Sequence, residues 1–469
     1  MSKISKLPKS IKETQKRLLD REFSCVELVD AYLADINSRN KDLNAVLTIS
    51  DDIAYEQAKK IDTKILRYKD IEILKEFPLL GVTVIHKDII STKGVRTTAA
   101  SKVLEDYVPA YNSTVVKKME SAGAIMLGKA NCDAWAHGSS GENSDFGPTK
   151  NPHNEDYVPG GSSSGSAASV AAEFSLVATG TDTGGSIRNP ANFCGVVGLK
   201  PTYGVVSRYG VIAMASSLDT VGCITNSVAD SKIVFDVMRG EDGYDSTVTS
   251  HQSLDTSKKK FRIGIPREFF TKDLDIEIEG SIKEAMKRFK ELNVEFIDIS
   301  LPNTKYGIAA YYIICPAEVS SNLGRFDGIR FGKDRSFFGD EAKRRIMLGT
   351  YVLSAGYYDE YYIKAAKVRN KIIEDFDKAF QEVDAVLAPV SPTSAFKLGE
   401  KVNDPIKMYL ADVFTVTANI AGIPSIAIPS GKNKDGLPLG FQLIGKRFDE
   451  ETLFKLGVFY ESICRDLKK

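Results

Sequence analysis

The stretch from Gly160 to Pro190, GGSSSGSAASVAAEFSLVATGTDTGGSIRNP, constrains the fold more than any other part of the chain. Residues 165–174 are mostly small and predict a helix that can approach a neighbouring element closely. The FSLVATGTD segment predicts the buried strand that follows, and a glycine-rich loop begins where this strand ends. Because open α/β sheets place their chemistry at such strand ends, we predict an α/β fold with a candidate nucleophile at Ser186.

Strand and helix patterns alternate along the rest of the chain. Ser24 and Glu27 have the spacing of a capping box at the start of a helix. The segments 124–127 (AIML) and 383–390 (VDAVLAPV) predict short buried strands. We also expect a helix over 112–122 that ends at Gly123, mostly helix over 340–380, a helix that begins at Asp404-Pro405, and paired strands PSIAIPSG and PLGFQLIG around a KNKDG turn.

Composition argues against several classes of protein. The chain has 62 lysine and arginine residues and 62 aspartate and glutamate residues, so its net charge would contribute little to nucleic-acid binding. A local basic patch that binds nucleic acid is still compatible with this composition. The N-terminal MSKISKLPKSIKE lacks the apolar core of a signal peptide, and polar residues interrupt the most apolar late stretch. Six scattered cysteines form no CxxC pair. We expect no membrane span, free thiols, and a location in the cytoplasm or an organellar matrix.

Two short motifs resemble known sites but lack the context that those sites need. GAIMLGKA (123–130) differs from a P-loop because Ala130 stands where a serine or threonine would hold magnesium, and its AIML core predicts a strand. GSSSG (161–165) has the nucleophile-elbow pattern around Ser163, but a turn precedes it where a buried strand is needed. No histidine follows His251, so the base of that fold's triad is also missing.

A serine nucleophile needs a base, and a lysine that loses its proton can be one. Lys87 ends the apolar strand in GVTVIHKD, and burial lowers the pKa of a lysine. Taken alone, however, Lys87 is more simply interpreted as a surface partner of Asp88. His86 points to the opposite face of the strand, and a lone histidine most often packs in a core or contacts solvent.

The 160–190 stretch, with GVTVIHKD before it and CGVVGLKPTYGVVSRYGVIAMASSLDTVG (194–222) after it, resembles the amidase signature family. This composite pattern is much more specific than a short glycine motif. The resemblance implies a Ser–cis-Ser–Lys unit, in which Ser186 is the nucleophile and Lys87 is the base. Ser162, after a cis peptide from Gly161, would pass a proton between them because a hydroxyl both donates and accepts.

The resemblance also implies an oxyanion hole in the glycine loop. The backbone N–H groups that would form it are those of Thr183, Gly184, Gly185 and Ser186. We interpret Asp182 and Arg188, which flank this loop, as orienting groups that pair with each other.

The fold that the family implies is α/β, with a large mixed β-sheet core covered by helices on both faces. We expect a single domain over 1–469. Its parts would be a helical N-terminal region (1–75), the signature core with the Ser-Ser-Lys site (76–230), and the remaining sheet, helices and substrate-recognition segments (231–469).

Three later segments narrow the resemblance. Residues 311–332, 341–369 and 408–429 are similar to the A subunits of glutamine-dependent aspartyl/glutamyl-tRNA amidotransferases. That family implies glutamine hydrolysis, with the ammonia passed to a B subunit that activates misacylated tRNA using ATP and Mg²⁺, and a C subunit that clamps the two. No cofactor or metal is then expected on this chain, and most of the tRNA would be bound by the partner, which fits the zero net charge.

The family's glutamine contacts map to Tyr311, Arg345 and Asp412. The fork of Arg345 suits the substrate α-carboxylate, and Asp412 suits the α-ammonium. A carboxylate such as Asp412 inside an apolar stretch needs a partner in any case. Without the resemblance, Arg345 would be interpreted as an ordinary surface arginine.

The chain departs from the family in three places. Ser164 replaces a common glycine, which the amidase signature tolerates. After Gly332 only KDRSFFGDEA precedes Lys343, which is shorter than usual. In NCDAWAHGSSGENS (131–144), which borders the substrate pocket in relatives, Cys132, Trp135 and His137 stand where other residues are more common.

Two other functions remain open at this stage. The chain could be a stand-alone amidase that acts on small amides, in which case broad activity without partners would be expected. It could also be a non-catalytic assembly subunit, but an inactive relative should have lost at least one of Ser186, Ser162 and Lys87.

Overall fold

The computed structural model describes residues 4, 6–67, 71–249, 260–402 and 404–466. His251, named above, lies outside these ranges, as do Lys258 and Lys259, the first two lysines of a KKKF run at 258–261. Lys260, the third, is exposed, and its amine lies 3.2 Å from the Glu295 carboxylate.

Eleven strands of the described chain form one sheet, in the order β1-β3-β2-β4-β6-β5-β10-β11-β9-β7-β8. The strands are β1 Val46–Ile49, β2 Thr83–Lys87, β3 Ile125–Ala130, β4 Val177–Asp182, β5 Val197–Lys200, β6 Thr220–Thr225, β7 Arg262–Pro266, β8 Glu295–Ile299, β9 Ala385–Pro389, β10 Ser425–Lys432 and β11 Pro438–Gly445. The sheet is mixed: β2 runs parallel to β3 and β4, and β7 runs parallel to β8 and β9, whereas the other pairs are antiparallel.

Helices surround this sheet. They are α1 Ile11–Leu19, α2 Cys25–Leu43, α3 Asp51–Arg67, α4 Ile73–Glu76, α5 Thr114–Ser121, α6 Ser164–Ala171, α7 Arg188–Cys194, α8 Val228–Met238, α9 Ile276–Glu291, α10 Gly307–Leu323, α11 Asp340–Val352, α12 Lys364–Glu382, α13 Pro405–Leu410, α14 Val416–Ala421 and α15 Glu450–Asp466. Every residue of β2, β3, β4, β6, β9 and β11 is buried, so both faces of the sheet are covered there. The predicted α/β class, with a large mixed sheet, is confirmed.

Most of the local predictions are confirmed as well. Ser24 and Glu27 form a complete capping box on α2, and the Asp404 side chain caps α13, which begins at Pro405. β10 and β11 form the expected antiparallel pair. The P-loop look-alike is buried strand β3, which contains both the Gly and the Lys of its GK pair.

The small residues of α6 allow the close approach that they predict. A Cβ atom built on Gly165 would lie only 2.6 Å from the backbone N and O atoms of Asn131. The Ser166 hydroxyl donates to the Thr179 carbonyl of β4 at 2.9 Å. Helix α6 therefore lies directly against the sheet beside the glycine-rich loop.

The six cysteines are all unpaired, as expected, and five of them are buried, including Cys194 and Cys223. Within the described ranges, none of the helices is long and apolar enough to cross a membrane. The same residues contain no cluster of three or more His, Cys, Asp and Glu side chains that could hold a metal ion.

Candidate active site

Two neighbouring parallel strands bring the predicted base and the glycine-rich loop together. β2 ends at Lys87, and β4 ends at Asp182, immediately before the loop. His86 is aligned with Thr179 across the pair, and the His86 Nδ1 atom lies 3.0 Å from the Thr179 hydroxyl. His86 is thus a packed core histidine, which agrees with the simpler interpretation of the sequence.

Lys87 is fully buried and contacts two hydroxyl groups. Its Nζ donates to Ser162 Oγ at 2.8 Å and to Thr181 Oγ1 at 3.0 Å. Burial lowers the pKa of Lys87 to about 8, although nearby acidic groups oppose this change. The alternative of a surface pair with Asp88 is wrong, because the Asp88 carboxylate accepts from Thr98 and lies 3.9 Å from a different buried lysine, Lys129.

Ser162 lies in a tightly built turn. The peptide bond between Gly161 and Ser162 is cis, as the family resemblance implies. A side chain at Gly161 could not be accommodated, because its Cβ would lie 2.9 Å from the backbone nitrogens of Ser140 and Gly141. The Ser162 carbonyl accepts from the Asp133 N–H at 3.1 Å, which ties the turn to the loop that follows β3.

Ser186 lies next to this turn and is the most accessible of the three predicted catalytic residues. Its carbonyl accepts from the Ser163 N–H at 3.0 Å. Ser186 is 8% exposed, whereas Lys87 and Ser162 are at 0%. A substrate would therefore reach Ser186 first, with Ser162 and Lys87 behind it.

The glycine loop is folded around the carboxylate of Asp182. Asp182 accepts from the Gly185 N–H at 2.8 Å and from the Ile187 N–H at 3.1 Å. Within the described chain, no acceptor is hydrogen-bonded to the N–H groups of Thr183, Gly184 or Ser186. Of the four predicted oxyanion-hole donors, the Gly185 N–H is therefore already used by Asp182, and the other three remain available.

Asp182 and Arg188 form the pair expected from the sequence. Arg188 donates from Nε and Nη2 to the two Asp182 oxygens, each at 3.0 Å, and both side chains are fully buried. Burial alone would raise the pKa of Asp182, but the charge and hydrogen bonds of Arg188 lower it to about 2. Asn419, which the sequence did not single out, donates to the Asp182 carboxylate at 2.9 Å and completes its shell.

The three predicted substrate-binding residues are all buried near the loop. A Cβ on Gly184 would lie 2.7 Å from Cζ of Tyr311, so this ring lies directly over the glycine. Arg345 is only 3% exposed, and its Nε donates to Glu341 at 2.8 Å. The interpretation of Arg345 as a surface arginine is therefore wrong. The predicted partner of Asp412 is found in Ser139, whose hydroxyl donates to its carboxylate at 2.7 Å.

Electrostatics distinguish Asp412 from the carboxylate of Asp182. Burial raises the pKa of Asp412 to about 7, although Ser139 and Arg345 partly oppose this change. Ser139 and Arg345 also line a cavity of about 470 Å³. Sequence reasoning missed Ser139, because a serine in a GSSGENS loop carries no signal that distinguishes it from its neighbours.

The buried Lys87 bonded to Ser162, which follows a cis peptide, is the arrangement that the amidase resemblance implied. The chain belongs to the amidase family, whose model matches residues 27–454. It is 48% identical over 473 residues to the A subunit of the glutamyl-tRNA(Gln) amidotransferase of Geobacter metallireducens, covering 96% of each chain. The corresponding protein of Koribacter versatilis is 47% identical over 469 residues, covering 96% of this chain and 97% of that one.

Solved structures of amidases and of an amidotransferase A subunit are also similar to this chain. The A subunit of the glutamyl-tRNA(Gln) amidotransferase from Thermotoga maritima superimposes with a TM-score of 0.79 and 40% identity, covering 94% of this chain and 92% of that one. The peptide amidase from Stenotrophomonas maltophilia superimposes with a TM-score of 0.82 and 28% identity, covering 97% of both chains.

Proposed function

We propose that this chain is the glutamine-hydrolysing subunit of an amidotransferase that converts Glu-tRNA(Gln), Asp-tRNA(Asn) or both to the amidated forms. The observation that carries this proposal is the buried Lys87–Ser162 hydrogen bond beside an accessible Ser186. The 48% identity to an A subunit over 96% of both chains supports the choice of this activity within the family.

The Lys87–Ser162 hydrogen bond supports a proton relay that runs from Ser186 through Ser162 to Lys87. Neutral Lys87 accepts the Ser162 proton while Ser162 accepts the proton of Ser186, and the Ser186 oxygen attacks the side-chain amide carbon of glutamine. The carbon–nitrogen bond then breaks as the proton returns through Ser162 to the nitrogen, which leaves as ammonia. Water hydrolyses the ester on Ser186 to release glutamate.

Negative charge develops on the amide oxygen during both steps. The N–H groups of Thr183, Gly184 and Ser186 can donate to it without breaking another hydrogen bond of the described chain. Each such donor typically lowers the barrier by about 3 kcal/mol. Asp182 fixes the curvature of this backbone by holding the Gly185 and Ile187 N–H groups.

Opposite charges suit the two ends of the amino-acid substrate. Arg345 would bind the α-carboxylate, Asp412 would bind the α-ammonium, and Tyr311 would pack against the side chain above Gly184. With a pKa of about 7, Asp412 is only partly ionised at neutral pH, and a bound ammonium group would favour its charged form.

The rest of the reaction belongs to partners in this proposal. A B subunit would hold ATP and Mg²⁺, activate the acyl group on the tRNA and receive the ammonia, while a C subunit would clamp the two. The balance of 62 basic and 62 acidic residues fits a subunit that leaves most tRNA contacts to its partner. The six unpaired cysteines fit a reducing compartment such as the cytoplasm.

The decisive experiment is co-purification with candidate B and C subunits, followed by a glutamine-dependent transamidation assay. Ser186→Ala should abolish ammonia release and transamidation from glutamine while the complex still assembles. Ser38→Ala, on the exposed side of α2, is the matched control and should retain parent rates. Parent-rate ammonia release by Ser186→Ala would refute the mechanism, and hydrolysis of simple amides without partners, insensitive to Arg345→Met, would favour a stand-alone amidase.

A further inference from the structure

The loop after β3 holds a histidine whose backbone is firmly fixed. The His137 N–H donates to the Ala134 carbonyl, and the His137 carbonyl accepts from Asn143 Nδ2, both at 2.9 Å. The Asp133 carboxylate accepts from the N–H groups of Gly141 at 3.1 Å and Asn143 at 3.0 Å. The position of the imidazole is therefore set by the loop.

The His137 side chain is nevertheless unpaired. It is 1% exposed, and neither ring nitrogen has a hydrogen-bond partner among the described residues. The other two described histidines each have one: His86 contacts the Thr179 hydroxyl, and His153 Nε2 lies 2.9 Å from the Cys194 carbonyl. A buried polar group without a hydrogen-bond partner is unfavourable, so a ligand that forms a hydrogen bond with this ring would bind more tightly.

Charge indicates which ligand group fits. Burial, and after it the positive charge of Arg345, lower the pKa of His137 well below its usual value. The ring is therefore neutral, with one N–H donor and one acceptor nitrogen. Gly138 and Ser139, which follow His137 in the loop, line the same cavity as Arg345. The N–H of a neutral imidazole can donate to an anion bound there.

Arg345 cannot surround a carboxylate by itself. Its Nε is committed to Glu341 at 2.8 Å, and its Nη1 has a long contact of 3.8 Å with Cys315 Sγ. Nη2 makes no hydrogen bond to a described residue. A substrate carboxylate would thus receive one well-directed guanidinium bond and would still need a second donor.

We propose that His137 is a substrate-binding residue whose ring N–H donates to the same α-carboxylate that Arg345 binds. This inference rests on the proposed glutamine hydrolysis and adds a residue to it. Ser139, two positions further along the loop, holds Asp412. One loop would then serve both ends of the amino acid, the carboxylate through His137 and the ammonium through Ser139 and Asp412.

The test compares His137→Met with the parent protein in the assembled complex. Methionine keeps the bulk and removes the hydrogen bond, so KM for glutamine should rise by about tenfold or more while kcat changes much less. His137→Gln, which retains an N–H donor, should recover part of the loss. With the α-methyl ester of glutamine, which lacks the anionic carboxylate, His137→Met and the parent should have similar KM values.

His153→Met, at an exposed position outside the site, is the control for the loss of an imidazole and should leave KM for glutamine at the parent value. Thermal melts establish that each variant is folded. An unchanged KM in His137→Met, or an equal rise with the methyl ester, overturns this inference alone. A parent complex that releases no ammonia from glutamine overturns the proposed function, and this inference with it.

Discussion

Replacing Lys87 by methionine should change the stability of the protein in a way that depends on pH. The amine lies in a buried site, where its two hydrogen bonds go to the hydroxyls of Ser162 and Thr181. Burial lowers the pKa of Lys87 from 10.5 to about 8. The unfolded chain therefore binds this proton more tightly than the folded chain, and the charged amine opposes folding at neutral pH.

The size of the effect follows from the two pKa values. Below pH 8 both states are mostly protonated, and the difference between 10.5 and about 8 corresponds to roughly 3–4 kcal/mol against folding, at about 1.4 kcal/mol for each pKa unit. This penalty disappears as the pH rises through the range between the two values. Between pH 7 and pH 10, Lys87 should raise the free energy of unfolding of the parent by roughly 2–3 kcal/mol.

The assay is urea unfolding of the parent and of Lys87→Met at pH 7 and pH 10. Methionine loses the same two hydrogen bonds at both pH values, so these losses cancel when the stability differences are compared. We expect the stability difference, variant minus parent, to be roughly 2–3 kcal/mol more favourable to the variant at pH 7 than at pH 10. Lys59→Met, at an exposed position of α3, should show no such dependence. Equal stability differences for Lys87→Met at both pH values would refute the lowered pKa.

Three further outcomes are expected. The kcat/KM for glutamine, measured by ammonia release, should rise with pH and level off above about pH 8, because only neutral Lys87 accepts a proton. A pH-independent kcat/KM would contradict this role of Lys87. KM for glutamine should increase below about pH 7 as Asp412 is protonated, and Asp412→Asn should raise KM at least about tenfold and flatten this dependence. Arg188→Met should lower the free energy of unfolding by about 3–5 kcal/mol in urea titrations, whereas adding Asp182→Asn should recover part of it, since no buried charge is then left alone.

Local signals predicted the elements of the fold well because their physical causes lie within a few residues. The capping box of Ser24 and Glu27 and the Asp404-Pro405 helix start depend on neighbours in the chain, and both are found as predicted. The order of the eleven strands depends on contacts between distant segments, which hydrophobic periodicity does not encode. The family resemblance predicted a large mixed sheet covered by helices, but not the order of its strands.

In the site as well, features that depend on contacts between distant segments could not be predicted from local sequence. A lysine followed by an aspartate looks like a surface pair, but successive residues at a strand end point in different directions, and Asp88 is directed to Thr98 and Lys129 instead. The burial of Arg345 comes from the packing of α11, not from its own sequence neighbourhood. The engagement of the Gly185 N–H by Asp182 depends on the exact path of the loop, which no spacing rule gives.

Because the parallel pairing of β2 with β4 brings the catalytic residues together, the recovery of activity indicates when this pairing has formed. His86 and Thr179, which are aligned across this pair, are 93 residues apart in the chain, and pairing over such a separation is a slow event. Until it is complete, Lys87 remains hydrated and protonated at neutral pH, so a partly folded chain has no active base. In a refolding experiment, recovery of ammonia release would therefore follow the closure of the sheet and lag behind the formation of local helices.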